Sequence, residues 1–205
     1  AYLDRITAID DAGPTLNAVI ETNPDALKDA DAADAERKAG KLRGPLHGIP
    51  VLLKDNIDAV PMVNSAGSLA LASHKPKTDA FLVAKLREAG AVILGKTTMP
   101  DYGMLSSGLS SFHQLTRNPW DLSKNPGGSS AGAAAAAAAG YGPLHVGTDI
   151  GGSVRLPAGW CGIFALKPSL GRIPIFPPYA GRVAGPMTRT VADAALMMAT
   201  LSLPD

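Results

Sequence analysis

This sequence predicts an α/β fold on three observations. Short apolar runs such as Val51-Leu52-Leu53 and Ala91 to Leu94 have the length of buried strands. They alternate with longer segments whose apolar or alanine-rich pattern is helical. Asp79 to Ala89, closed by Gly90 and running straight into Ala91 to Leu94, is a helix–strand unit of the kind that builds α/β layers. No internal repeat and no linker interrupts this order, so residues 1–205 read as one domain.

From the start of the chain, Leu3, Ile6 and Ile9 recur at helical spacing between Tyr2 and Ala12, and Gly13-Pro14 stops the pattern. Leu16 to Ile20 is a strand-like run. Asn23-Pro24 looks like an N-cap with proline at the first helical position, opening a charged, alanine-rich surface helix that ends near Gly40. Gly44 to Pro50 is loop chemistry, and the strand Val51-Leu52-Leu53 delivers Lys54-Asp55-Asn56 at its end. A loop from Asp58 to Thr78 leads into the helix–strand unit. Thr97 to Asn125, rich in Ser, Gly, Asn and Pro, reads as a surface wrap or a pocket cover. Ala131 to Ala139 has the highest helix propensity in the chain, and its small side chains admit close neighbours, so it reads as a buried helix. Leu144 to Val146 and Ile163 to Leu166 are short strands, and Thr190-x-x-Asp193 has the pattern of a capping box before the apolar helix Ala194 to Leu201.

A chain of 205 residues, 46% of them hydrophobic, can bury a substantial core. Its 19 Lys and Arg against 18 Asp and Glu give a net charge of +1, which offers no electrostatic case for nucleic acid or an anionic membrane. A small molecule is the expected partner, and a homodimer is the self-assembly left open. The lone Cys161 cannot form an intrachain disulfide, which fits a reducing compartment and makes the cytoplasm the expected location. No apolar run approaches the roughly 20 residues that cross a bilayer. The chain opens on Ala1 and stops at Asp205 directly after an apolar helix pattern, so it reads as the N-terminal portion of a longer chain.

Asn125 to Arg155 carries the chemistry. It holds two glycine–serine turns, Gly127-Gly128-Ser129-Ser130 and Gly151-Gly152-Ser153. Glycine tolerates positive φ, so each turn can set a hydroxyl unusually close to another group. A serine hydroxyl is a poor nucleophile at neutral pH and needs a base, together with donors for the oxyanion formed on a carbonyl. Ile150-Gly151-Gly152-Ser153 suits the donor role, because consecutive glycines let several N–H groups face one point. His47, His74, His113 and His145 share no spacing with the turns and make no metal pattern, so they read as structural or surface residues. Lys54, behind Val51-Leu52-Leu53, is the better base if desolvation or nearby positive charge lowers it from about 10.4. Taken singly, Lys54 is an ordinary strand-end lysine, Ser129 a capping serine and Ser153 a turn serine. The catalytic reading rests on the three together.

HGIPVLLKDNID, GKTTMPDYGMLSS, TRNPWDLSKNPGGSSAG, GTDIGGSVRLPAGWCGIFALKPSLGRIP and GPMTRTVADAAL occur in that order from about Leu42 to Met198. Together they resemble the amidase signature family, whose members hydrolyse or transfer amide groups through a Ser-Ser-Lys triad. The resemblance implies a mixed β-sheet core flanked by helices, incomplete here at the C-terminus because members normally continue well beyond this point. It implies Lys54 as base, Ser129 as bridging serine after a cis Gly128–Ser129 peptide, and Ser153 as nucleophile. The oxyanion would rest on N–H groups of Ile150, Gly151 and Gly152, and no metal or organic cofactor enters the scheme. Ser130 has two readings, a hydrogen bond to Lys54 or an ordinary helix N-cap. Arg155 is either a substrate contact or a partner for Asp149. Gly103 and Met104 lie in the block that resembles the family's pocket wall, with plain packing as the alternative for Met104.

Two segments depart from the pattern. Pro61 to Ser68 reads PMVNSAGS where many members have G-M-P-T-T-A-G-S, and Ser110 to Gln114 reads SSFHQ. The expected function is cleavage of the C–N bond of a small carboxylic amide through an acyl-enzyme. One alternative is a hydrolase of urea derivatives of the allophanate or biuret type. Another is the amidase component of a tRNA-dependent amidotransferase, the one case in which nucleic acid would enter; Leu156 after Val154-Arg155 differs from the I-R-Q-P of such proteins. A nucleotide-binding module lacks support, since there is no G-x-x-x-x-G-K-[ST] and no G-x-G-x-x-G opening a helix. An inactive scaffold would leave a fluorophosphonate probe unreacted.

Overall fold

The structure, a computed structural model, describes residues 1–202. The chain opens with helix α1 (Tyr2–Ile6), which continues as a π-helical turn through Asp11. Strand β1 (Val19–Thr22), helix α2 (Ala26–Lys38) and strand β2 (Pro50–Lys54) follow. Next come helix α3 (Phe81–Glu88) and strand β3 (Val92–Thr97). After the long loop stand helix α4 (Ala131–Ala139), strand β4 (Leu144–Asp149) and helix α5 (Arg155–Cys161). The last elements are strand β5 (Phe164–Ala165), strand β6 (Val183–Thr188) and helix α6 (Val191–Leu201).

Six strands form one mixed sheet in the order β1-β3-β2-β4-β6-β5. β2 is parallel to β3 and to β4, whereas β1, β6 and β5 each pair antiparallel. Successive side chains of a strand point to opposite faces, and in the central strands both faces are covered. Val51, Leu53 and Ile93 pack with Leu82, Val83 and Leu86 of α3 and Met197 and Leu201 of α6. Leu52, Val92 and Leu94 face the other way, onto Ile6, Ala26, Ala135, Ala136 and Tyr141. The sheet is therefore sandwiched between helices, and the mixed, helix-flanked architecture agrees with the sequence expectation.

Several boundaries differ from those read in the sequence, each for a local reason. The strand placed at Leu16 to Ile20 begins only at Val19, because Thr15 and Asn17 take positive φ and the Asp10 carboxylate accepts from the N–H groups of Ala18 and Val19. Asn23 does not cap α2. Its side chain accepts from Asp25 N–H at 3.1 Å and donates to Ile93 C=O at 2.8 Å, tying the turn to the sheet, and the helix starts at Ala26. α5 and β6 have no counterpart in the sequence reading. α5 carries Pro157 in its first turn, where a missing N–H is tolerated, and Gly159 in its middle, so no apolar period marks it. β6 contains Gly185-Pro186, which argues against a central strand, yet every residue of it is buried. Thr190 caps α6 as expected: its side chain accepts from Asp193 N–H at 3.1 Å and its hydroxyl donates to the Asp193 carboxylate at 2.6 Å.

α4 shows why its residues must be small. Gly132 N–H donates to Thr98 C=O at 3.1 Å, and Thr98 N–H donates to Ala18 C=O at 2.9 Å, so helix and strand backbones touch. A Cβ at Gly132 would stand 2.3 Å from both Ala18 O and Thr98 N, which are backbone atoms that cannot rotate away. Gly132→Ala is expected to destabilise the fold by about 1–3 kcal/mol through overpacking. Thermal denaturation would read this as a fall of roughly 2–4 °C in Tm per kcal/mol.

Candidate active site

Strand β2 ends between β3 and β4, and its last residue, Lys54, is only 1% exposed. Three consecutive apolar residues bury the strand, so the lysine follows them in. Its Nζ donates to Ser129 Oγ at 2.7 Å and to Thr148 C=O at 3.3 Å. Burial pushes the amine down from its ordinary value to about 7, opposed by Asp149 and assisted by Arg182. Burial thus brings the neutral amine within reach near neutral pH, the condition a lysine base has to meet.

Ser129 is 3% exposed and follows a cis Gly128–Ser129 peptide, as the resemblance implied. The turn before it is tight. A Cβ on Gly127, which has φ +84°, would meet Pro157 Cα at 2.7 Å, and one on Gly128 would meet Ser107 N at 2.6 Å. Gly103, with φ +73°, lies directly over the hydroxyl, since a Cβ there would come within 3.1 Å of Ser129 Oγ. Met104 beside it is 80% exposed, so it is not a packing residue.

The second glycine–serine turn meets the first through the backbone, Ser130 N–H donating to Ser153 C=O at 3.1 Å. Ser153 is half-buried, whereas Ile150 and Gly151 are exposed, so the turn opens outward. Among the described residues no hydrogen bond joins the hydroxyls of Ser129 and Ser153. Asp149 anchors this turn. Its buried carboxylate accepts from Gly152 N–H at 2.8 Å, Val154 N–H at 3.0 Å, and Arg155 Nε and Nη2 at 3.1 and 3.0 Å. Burial pushes the carboxyl up, but these bonds, led by Arg155, outweigh it and hold the group at about 2. Gly152 N–H, one of the expected oxyanion donors, therefore points at Asp149 in this structure. Of the two readings of Arg155, the ion pair with Asp149 is the one the geometry realises.

Ser130 takes the N-cap position of α4, one of its two sequence readings, and among the described residues makes no hydrogen bond to Lys54. It stands at the head of α4 without a side-chain capping bond, and its Oγ faces strand β4. There it donates to Thr148 C=O at 3.3 Å and lies 3.4 Å from Thr148 N–H. Thr148 C=O is the same oxygen that holds Lys54. Its carbonyl role was illegible because a backbone atom leaves no residue signature. Asn56, two residues after Lys54, donates from Nδ2 to Thr148 Oγ1 at 2.9 Å, a contact the sequence reading missed. The histidines stand apart from this chemistry. His145 is fully buried and pushed down to about 3 by desolvation, and His47 Nε2 lies 2.9 Å from Ala33 O. Among the described residues no group of His, Cys, Asp or Glu is placed to hold a metal ion.

A buried amine brought down to about 7, bonded to one serine and near a second whose turn has N–H groups without a partner among the described residues, is an arrangement suited to acyl transfer. A family model described as Amidase matches residues 1–205, and the chain belongs to that family. Over 98% of its length it is 43% identical to the A component of the glutamyl-tRNA(Gln) amidotransferase of Moorella thermoacetica, and 47% identical to the same component from Chromohalobacter salexigens. It spans 42% and 41% of those relatives, less than half their length. Among solved structures, native peptide amidase from Stenotrophomonas maltophilia superposes with a TM-score of 0.94 at 49% identity, covering 100% of this chain and 44% of that one. A 6-aminohexanoate cyclic dimer hydrolase superposes with a TM-score of 0.89 at 32% identity over 100% of this chain and 42% of that one. No helix among the described residues is long and apolar enough to cross a membrane.

Proposed function

We propose that the protein hydrolyses a carboxylic amide through Lys54, Ser129 and Ser153. The observation that carries the reading is the 2.7 Å bond from Lys54 Nζ to Ser129 Oγ, made by an amine that burial brings to about 7. Neutral Lys54 takes the Ser129 proton while Ser129 takes that of Ser153, whose oxygen attacks the substrate carbonyl. The bond between the two hydroxyls forms as substrate seats, since catalytic hydrogen bonds are often loose in an empty site. The tetrahedral oxyanion rests on N–H groups of Ile150, Gly151 and Ser153, donors whose individual loss typically costs about 3–4 kcal/mol. The leaving nitrogen takes the relayed proton and departs. Water, deprotonated by the same relay, then cleaves the acyl-enzyme ester to a carboxylic acid and frees Ser153.

The direct test is reaction of the protein with a fluorophosphonate probe, followed by peptide mass spectrometry. A single adduct on Ser153 is the expected result, and an unmodified protein would reject the reading. A second reading is an amidase that passes ammonia to partner proteins in a larger assembly, and the identity to the A component of glutamyl-tRNA(Gln) amidotransferase favours it. Glutamine hydrolysis that appears only when the other amidotransferase components are added would select it over a self-sufficient amidase.

A further inference from the structure

A cavity of about 190 Å³ is walled in part by Thr148, whose carbonyl holds Lys54. Asn56, Ile57, Phe81, Thr148, Ile175 and Arg182 are among its walls. It adjoins a more apolar cavity of about 430 Å³ lined by Ile173, Pro178 and Tyr179, and Pro174, Ile175 and Arg182 belong to both. The topology explains why Arg182 is there. β6 runs antiparallel to β4 with Val183 opposite Asp149, so Arg182, one residue before Val183, reaches the sheet edge from which the Ser153 turn emerges.

The charged groups of this pocket are not equivalent. Asp79 is paired with Arg87 at 2.8 Å and also accepts from Val60 N–H, and Asp58 accepts from Asn64 Nδ2. Arg182 has no carboxylate partner among the described residues, and its guanidinium stands 5.1 Å from the centre of the Tyr179 ring. A half-buried guanidinium presents a rigid fork of N–H donors that matches a carboxylate. Asn56 Oδ1 is buried with no partner among the described residues, so the same pocket also offers an acceptor.

We propose, resting on the amidase reading, that Arg182 binds a carboxylate carried on the acyl arm of the substrate. The preferred substrates are then amides whose acyl chain, lying against Ile57, Phe81 and Ile175, ends in an acid. The arm runs past Thr148, the residue that the cavity shares with the Lys54 site. Its apolar part displaces water, and its charge meets the one guanidinium in the pocket that lacks a carboxylate partner among the described residues. Binding a carboxylate there also offsets the positive field that Arg182 exerts on the Lys54 amine.

The test uses monoamides of linear dicarboxylic acids of graded chain length, each against a neutral analogue in which a methyl ketone replaces the carboxylate. The wild-type protein should prefer the charged member of the best-fitting pair by about ten-fold in kcat/KM, the scale of a charge-assisted hydrogen bond. Arg182→Gln should erase that preference and Arg182→Lys should restore part of it. The readout is a ratio within one preparation, so a partly folded variant leaves it unchanged. A ratio that Arg182→Gln leaves intact, or its absence from the wild type, overturns the proposal. If neither member is hydrolysed, fluorophosphonate labelling decides the amidase reading by itself. Calorimetric titration of Ser153→Ala with the same pairs then decides the Arg182 assignment without turnover, equal binding of the two members refuting it.

Discussion

Ser153→Ala is expected to abolish fluorophosphonate labelling and to lower kcat for amide hydrolysis by roughly 10⁴–10⁶-fold, the loss seen when a nucleophile is removed from a catalytic unit. The size follows from the role proposed for the hydroxyl, as the atom that forms the new bond to the substrate carbonyl. The fold should barely notice. Ser153 is half-buried, its hydroxyl makes no hydrogen bond among the described residues, and its contact with Ser130 uses the backbone carbonyl. Stability should stay within about 0.5 kcal/mol of the wild type. Unchanged Tm with lost labelling separates a chemical role from a structural one. Labelling that persisted on Ser129 would instead reassign the nucleophile to the serine already bonded to Lys54.

Two buried lysines in one chain show why only one is a candidate base. Lys96 on β3 is as deeply buried as Lys54, and burial lowers it too. But Lys96 Nζ lies 3.4 Å from the Asp55 carboxylate and donates to Val63 C=O at 3.1 Å. Asp55 in turn accepts from Gly67 N–H at 3.1 Å and from the Ser65 hydroxyl, so the pair organises the loop after β2. The Asp55 carboxylate opposes the fall that burial causes in Lys96 and ties its amine into a structural ion pair. Lys54 has serine and a carbonyl as partners and only the more distant field of Asp149 to favour its charge.

The glycine–serine turns and Lys54 were legible because each is a short local pattern whose residue types are required by backbone geometry or chemistry. Helix Ala131 to Ala139 was legible to the residue, its propensity and the tight contact at Gly132 agreeing. What stayed hidden lies between elements. That Ser130 would turn to Thr148, and that Gly152 N–H would be claimed by Asp149, depends on which strand lies beside which turn. Pairing of β4 with β6 sets this, and β6 has the composition of a loop. Arg182 was invisible for the same reason, since its proximity to the site exists only once Val183 is placed opposite Asp149.

Lys54→Met should leave a folded protein whose kcat/KM is lower by about 10²–10⁴-fold, the usual contribution of a positioned general base. Methionine fills much of the same buried channel without a titratable group, so the pH profile becomes the diagnostic. In the proposed mechanism the active form is the neutral amine. With Lys54 at about 7, activity should climb with pH up to that value and level off above it, and this rising limb should vanish in the variant. Stability supplies a second signature of known sign. In the unfolded chain the lysine titrates near 10.5, so below about 7 both states are protonated and the native state carries a buried ammonium. Between about 7 and 10.5 the unfolded chain binds the proton and the native state does not, so wild-type stability gains with pH across that window. The difference in Tm between Lys54→Met and wild type should therefore shift in favour of the wild type as pH rises from 7. A difference that stays flat with pH, or a wild-type rate that keeps rising to pH 10, would mean that Lys54 stays charged near neutral pH and is not the neutral base proposed there.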